Sequence, residues 1–342
     1  MNGTVSQLNG YKCTKYFNTL YKQCCFLIKK GSFVSILNQY VMLKEKTKRW
    51  LEKNACVSLK GKTAVVTGCN SGVGYKTAET MAYLGANVIF ACRNMQKANL
   101  AREIIVAEYP ESVITGMELD LADFSSIDAF VDKLKEQAAD IDIFVNNAGV
   151  FHQPDKKTKD GFELIMGTNY LGVYYLTEKL VPYLTSLPHE VIYINTISLI
   201  HKVAKIDYED FFGTKRYRNL AIYARSKLCL AKYTYHKAHE LEESNVRMYM
   251  NHPGIALTPL GLNAVGPRIA KLQSVVRPLF NSPEKSSLSV SYILSHVIPV
   301  GSIVGPDRAF GGWGYPRINR IYKKVKTGAG QLIAFTRDIT FV

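Results

Sequence analysis

The feature that most constrains this 342-residue chain is an alternation of short apolar runs with longer stretches of helical spacing. Thr63–Thr67 precedes a helix over 72–84, Asn87–Cys92 a helix over 94–108, and the run 113–119 a helix near 124–137. The run 141–145 leads to a long helix near 163–185, 191–195 to a helix at 221–242, and 246–250 closes the series. Strands apolar along their whole length are covered on both faces, as in a parallel sheet with helices on each side. Right-handed crossovers make that sheet doubly wound. No internal repeat or low-complexity tract interrupts the pattern.

The first run passes directly into Thr67-Gly68-Cys69-Asn70-Ser71-Gly72-Val73-Gly74. Glycines at a strand-to-helix turn let the backbone approach a pyrophosphate, and the helix N-terminus supplies N–H donors and a positive dipole end. Gly68, Asn70, Ser71, Gly72, Val73 and Gly74 are therefore the expected phosphate cradle of a Rossmann-type α/β sheet. Nineteen residues past Gly74 stands Arg93, where an NAD site would carry a carboxylate for the ribose 2′-hydroxyl. A carboxylate would repel a 2′-phosphate and a guanidinium pairs with it, so NADP(H) is expected over NAD. Asp120, with Leu121 beside it, ends the third strand where the adenine edge is expected. Asn147, Ala148 and Gly149, in Asn-Asn-Ala-Gly after the fourth strand, leave room for the cofactor.

Tyr223 and Lys227 lie four residues apart at the start of a helix and share one face. A tyrosine with pKa about 10 is a poor base at neutral pH. A nearby ammonium stabilises the phenolate and lowers that value, giving a tunable acid/base. The pair says little alone in a chain with 21 tyrosines. Ser198, after the fifth strand, could donate a hydrogen bond to a substrate carbonyl.

Order and spacing together make the set specific. Over about residues 60–300 the chain resembles the short-chain dehydrogenase/reductase family. Thr-Gly-x3-Gly-x-Gly at 67–74, Asn-Asn-Ala-Gly at 146–149, Ser198, Tyr-x3-Lys at 223–227 and Pro253-Gly254 follow the family's sequence of motifs. Asn169, in Gly-Thr-Asn-Tyr-Leu-Gly, matches the helix asparagine that holds a relay water. Thr258 matches the residue that contacts the nicotinamide carboxamide. Ala-Cys-Arg-Asn at 91–94, His201, Ser282-Pro283-Glu284 and the 25-residue gap from Ser198 to Tyr223 are similar to the retinol-dehydrogenase-like subgroup. The resemblance implies that Tyr223 exchanges a proton with the substrate oxygen while NADPH delivers hydride. It implies that Lys227 holds the nicotinamide ribose, that Ser198 orients the carbonyl, and that Asn169 anchors the relay water. It also makes the apolar segment near 255–285 a substrate lid, hence a hydrophobic alcohol or carbonyl as substrate. A non-catalytic NADP(H)-binding sensor or scaffold on the same fold is the alternative. Three departures concern substrate and placement. Ile197 stands where many members have Ser, Phe310-Gly-Gly-Trp-Gly-Tyr-Pro316 replaces the subgroup's tail pattern, and the leader matches no subgroup anchor.

Charge limits the partners. The net +15 sits at the ends: residues 1–62 hold twelve Lys/Arg against two Asp/Glu, and 308–342 hold seven against one. The stretch between carries 24 basic and 25 acidic residues, so a nucleic-acid surface across the body is excluded. Residues 1–58 read as a basic amphipathic helical extension to a domain over 59–342. The apolar face of that extension packs on the body or on a second copy, as in a homodimer, or lies on a membrane surface. No basic-then-apolar secretory pattern and no 18-residue apolar run occur, so the expectation is a cytoplasmic, at most membrane-peripheral chain that is not secreted. Asn2-Gly-Thr4 fits a glycosylation sequon and is set aside on that ground. Seven scattered cysteines without paired Cys-x2-Cys spacing read as reduced thiols. Cys69 and Cys92 read as small core fillers near the cofactor. No metal site is expected, since His236 and His239 lack a third ligand and read as an exposed helix face. His201 reads as a surface residue or a lining of the pocket mouth.

Overall fold

Eight strands in the order β3-β2-β1-β4-β5-β6-β7-β8 form the frame. The computed structural model describes residues 33–55, 57–137, 140–151, 156–215, 217–256 and 281–340. The expectations for residues 1–32, for Thr258 and for the apolar lid segment at 257–280 lie outside the described residues.

Helix α1 (Phe33–Asn54) leads to β1 (Thr63–Thr67), α2 (Gly72–Tyr83), β2 (Asn87–Cys92), α3 (Met95–Glu108), β3 (Ile114–Glu118), α4 (Phe124–Gln137) and β4 (Ile143–Asn146). A short helix (Leu164–Met166), a π-helical turn (Gly167–Leu171) and α5 (Gly172–Thr185) run on without a break. There follow β5 (Val191–Thr196), α6 (Asn219–Glu240), β6 (Val246–Asn251), α7 (Pro283–Ser295), β7 (Ile303–Arg308), β8 (Trp313–Asn319) and α8 (Ala329–Thr340). The seven strands β1 to β7 pair in parallel, so the doubly wound sheet stands as expected.

Both sheet faces are apolar because successive strand residues point to opposite sides. Val65, Ile89, Phe144 and Tyr193 bury on one face with residues of α4, α5 and α6. Val66, Phe90, Val145 and Ile194 bury on the other with residues of α2, α3 and α7. The order of strands reverses between β1 and β4, which leaves a crevice at their carboxyl ends.

Three elements depart from the expected picture. The sheet ends in β8, antiparallel to β7, with Pro306 opposite Pro316. Pro316 is on the edge strand and Pro306 lies past the β6 pairing, which ends at Val304, so the missing N–H groups cost the ladder little, and their glycine-rich context hides both strands from a hydrophobic pattern. Helix α8 follows, with Leu332 and Thr336 buried and Tyr170 hydrogen-bonded to Thr336 at 2.7 Å. Packing of the body also begins ahead of the boundary expected at 58/59. The compact unit that holds the sheet begins at Thr47. Leu51 and Ala55 lie ahead of residue 59 yet bury with Leu288 of α7, which ties the end of α1 to the body. No described helix is long and apolar enough to cross a membrane.

Candidate active site

The crevice is built around Thr67. Its hydroxyl accepts the N–H groups of Asn147 and Ala148, both at 3.0 Å, and so joins the turns after β1 and β4. Asn147 closes the joint by donating Nδ2 to the Thr67 carbonyl at 3.1 Å. Gly68 is required here twice over: its φ is +64°, and a Cβ would stand 2.8 Å from the Ala148 Cα. A Cβ on Gly74 would stand 2.2 Å from Asn147 Nδ2. Ser71 precedes α2 in extended backbone and makes no side-chain capping bond, so the first-turn N–H groups of Gly72, Val73 and Gly74 are left for another acceptor. Asn70 is half-buried in the same turn.

The expected ribose and adenine residues gather at the ends of β2 and β3. Arg93 is exposed, with its guanidinium 3.8 Å from Asp120. Asp120 also accepts the Ala122 N–H at 3.0 Å, which fixes the carboxylate at the strand end. Leu121 is a core residue, so its side chain is committed to packing. These residues fit a dinucleotide: an uncapped helix start, a glycine turn with no room for side chains, and a cation at the second strand's end.

The acid/base candidates converge from three elements. The Ser198 hydroxyl stands close enough to the Tyr223 hydroxyl to favour its phenolate. The Phe151 ring packs edge-on to Tyr223 at 5.0 Å and 86°. Lys227 is buried one helical turn along and donates to the Thr196 carbonyl at 2.9 Å. Burial pulls its pKa down to about 8. The sequence leads one to expect a depressed phenol beside that ammonium. Burial instead raises Tyr223, and the Ser198 hydroxyl pulls partly the other way.

Asn169 sits fully buried in the π-helical turn. Its Oδ1 accepts the Val150 N–H at 2.7 Å and its Nδ2 donates to the Val150 carbonyl at 2.9 Å. Both ends of the amide thus hold the loop after β4. Gly149 faces this amide and the Lys227 ammonium: a Cβ there would meet Asn169 Oδ1 at 3.1 Å and Lys227 Nζ at 3.6 Å. Pro253 and Gly254 form a tight turn after β6, where Gly254 has φ +73° and a Cβ would stand 2.4 Å from the Gly312 carbonyl. The Pro253 carbonyl accepts Asn281 Nδ2 at 3.2 Å and Ser286 Oγ at 3.0 Å. Ala256 and Asn281 pair as an isolated bridge, so these two residues flanking 257–280 stand side by side.

His201 corrects the surface reading. It is fully buried, and burial lowers its pKa to about 4. The positioning residues Thr67, Thr196, Phe151, Asn281 and Ser286 escape the sequence because their roles run through contacts distant along the chain. Thr67 had a signal in its place at the head of the glycine motif. His236 and His239 are exposed on α6, and no cluster of metal-ligating residues occurs among the described residues.

Residues 62–265 match the family model described as short chain dehydrogenase. The chain is 36% identical to retinol dehydrogenase 13 of Mus musculus over 277 residues, covering 78% of this chain and 81% of that protein. It is 38% identical to retinol dehydrogenase 14 of Mus musculus over 232 residues, covering 65% and 67%. Among solved structures it is similar to an uncharacterised protein of Mycobacterium paratuberculosis, with TM-score 0.67, 28% identity, and coverage of 83% of this chain and 95% of that one. L-Sorbose reductase of Gluconobacter frateurii, complexed with NADPH and L-sorbose, shares the fold with TM-score 0.58 at 22% identity, over 72% of this chain and 95% of that one.

Proposed function

Because the chain belongs to the short-chain dehydrogenase/reductase family, in its retinol-dehydrogenase-like subgroup, we propose that it is an NADP(H)-dependent oxidoreductase interconverting a carbonyl and an alcohol on a hydrophobic substrate. The observation that carries the reading is the joining of Ser198, Tyr223 and Lys227 at one crevice, beside a turn fitted to a dinucleotide. Arg93 supports NADP(H), and the relatives named as retinol dehydrogenases support an apolar alcohol or its carbonyl.

When bound, NADPH supplies the hydride. Gly68, Asn70, Ser71, Gly72, Val73 and Gly74 would hold its phosphates, and Arg93 the 2′-phosphate. Asp120 and Leu121 would face the adenine, and Asn147, Ala148, Gly149, Pro253, Gly254 and Thr258 the nicotinamide half. Ser198 donates a hydrogen bond to the substrate oxygen and holds it beside the Tyr223 hydroxyl. Tyr223 gives its proton to that oxygen in reduction and takes it back in oxidation. The Lys227 ammonium, one turn away, favours the phenolate that proton transfer leaves behind. Asn169 keeps the loop carrying Gly149 in place and would anchor the water that returns the proton.

The test is NADPH oxidation with a panel of apolar aldehydes and ketones, retinal among them, with Tyr223→Phe beside wild type. Turnover that collapses in the variant while NADPH still binds is the expected result. Turnover indifferent to Tyr223 would discard the mechanism.

A further inference from the structure

We propose that Cys69 and Cys92 are a site of reversible oxidation, closed to a disulfide by a peroxide and reopened by a dithiol, and that the closed form binds dinucleotide more weakly. The effect on binding rests on the cofactor reading above; the site itself does not.

The geometry is that of two thiols already in contact. Their Sγ atoms are 3.5 Å apart, though the residues are far apart in sequence. Sheet pairing brings them together: Thr67 is in register with Ala91, and Gly68 donates its N–H to the Ala91 carbonyl at 2.9 Å. Cys69 and Cys92 follow directly. A disulfide needs about 2.05 Å between sulfurs, so closure requires an approach of about 1.5 Å.

The two sulfurs differ in chemistry. Cys69 donates its S–H toward the Val66 carbonyl at 3.1 Å, and burial raises its pKa. The Cys69 thiol and the backbone of the Gly68–Asn70 turn beside Cys92 favour its thiolate and lower its pKa. Cys92 is thus the nucleophile and Cys69 the resolving thiol. Both sulfurs are buried, Cys69 0% and Cys92 2% exposed, so hydrogen peroxide, hardly larger than water, must enter at the strand end one residue from exposed Arg93.

The steps balance. The Cys92 thiolate attacks one peroxide oxygen, the O–O bond breaks, and hydroxide leaves and takes up a proton, giving water and a sulfenic acid. The Cys69 sulfur then attacks the Cys92 sulfur, the S–S bond forms, and the S–OH group leaves as water with the Cys69 proton. Two thiols are oxidised by two electrons and one peroxide is reduced to two waters. Thiol–disulfide exchange with an external dithiol reverses the step.

Closure would act on the cofactor site from beneath. It pulls the Gly68–Asn70 backbone toward the end of β2, while Arg93 follows directly on the residue being bonded. A shift of that size in a phosphate-binding turn forfeits at least one charge-assisted hydrogen bond, and about tenfold weaker NADPH binding follows.

The experiment treats the full chain with graded hydrogen peroxide, then maps cysteine peptides by mass spectrometry and titrates NADPH by fluorescence. The expected result is a Cys69–Cys92 peptide pair lighter by two hydrogens, a loss of NADPH affinity in step with it, and recovery of both on adding dithiothreitol. Cys69→Ser should keep the affinity of its untreated state after the same exposure, and Cys229, in the core on the opposite face of the sheet, should appear in no disulfide-linked peptide. Free thiols at both positions after treatment would overturn the proposal, as would a complete disulfide with unchanged affinity or an equal loss in Cys69→Ser. A chain that binds no dinucleotide even when reduced would overturn the cofactor reading and the effect on affinity, and the peptide masses would still decide whether the oxidation site exists.

Discussion

The carbonyl of Ser198 accepts two hydrogen bonds from His201, one from its backbone N–H at 3.0 Å and one from imidazole Nδ1 at 2.6 Å. A carbonyl can only accept, so the proton is on Nδ1 and the ring is pinned as one tautomer. The three-residue excursion from Ser198 to His201 is closed on itself, which holds the Ser198 backbone in place beside Tyr223. His201 is on this geometry a positioning residue.

Removing that ring should therefore disturb turnover more than cofactor binding. His201→Ala is expected to lower kcat about tenfold, the scale of one buried hydrogen bond, with the affinity for NADPH retained. His201→Asn, whose Nδ2 can occupy the place of Nδ1, should recover most of the loss. Steady-state kinetics of the three forms decide it, and an Asn variant no better than Ala would refute the hydrogen-bond account.

Acid should unfold the protein early. Burial holds His201 at about 4 and His252 at about 3, against 6.5 in the unfolded chain. Both folded values are depressed, so stability is complete above pH 6.5 and is lost as pH falls, because the unfolded chain takes up these protons first. Each ring should withdraw about 3 kcal/mol by pH 4. Urea midpoints between pH 7 and 4 measure the slope, and His252→Gln should flatten it.

Turnover should fall off on the alkaline side. The Lys227 ammonium, held at about 8 by burial, loses its proton as pH rises through that value, while Tyr223 is raised and stays protonated. The pH profile of kcat/KM for reduction should bend downward near pH 8, and Lys227→Arg should move the bend upward. Tyr223→Phe should cost about a hundredfold or more at every pH, the range for loss of a general acid. A flat profile through pH 9 would show that the charge on Lys227 is not required.

Cofactor choice should hang on Arg93. Its guanidinium is exposed at the end of β2, with Asp120 at 3.8 Å as its ion-pair partner. Arg93→Ala is expected to weaken NADPH binding about tenfold and to leave NADH nearly unchanged. Parallel fluorescence titrations give the ratio, and an unaltered ratio would remove Arg93 from the site.

The ends of the compact body are testable by truncation. Removing residues 1–58 takes away Leu51 and Ala55, each 3% exposed against Leu288, whereas removing 1–46 leaves them. The longer deletion should be less stable than the shorter by about 2 kcal/mol or more, the value of one buried leucine. Thermal melts of the two forms compare them directly, and equal midpoints would return the boundary to residue 58.

Local chemistry made much of this molecule readable in one dimension. The run Thr63–Thr67 can only be a covered strand, Gly68 and Gly74 mark a turn where a Cβ has no place, and Tyr223 and Lys227 share a face because a helix turns every 3.6 residues. Each of these follows from neighbours within about eight positions. What tertiary structure alone decided involves partners far away in sequence. His201 looks like any surface histidine until the turns around it close and bury it. Asn169 is committed to Val150, and Lys227 to Thr196, by packing of α5 and α6 against the sheet. The antiparallel edge strand β8, with Pro316 opposite Pro306, has no periodicity to announce it, and its pairing exists only once β7 is in place. Cys69 and Cys92 became a pair for the same reason: strand register brought them into contact.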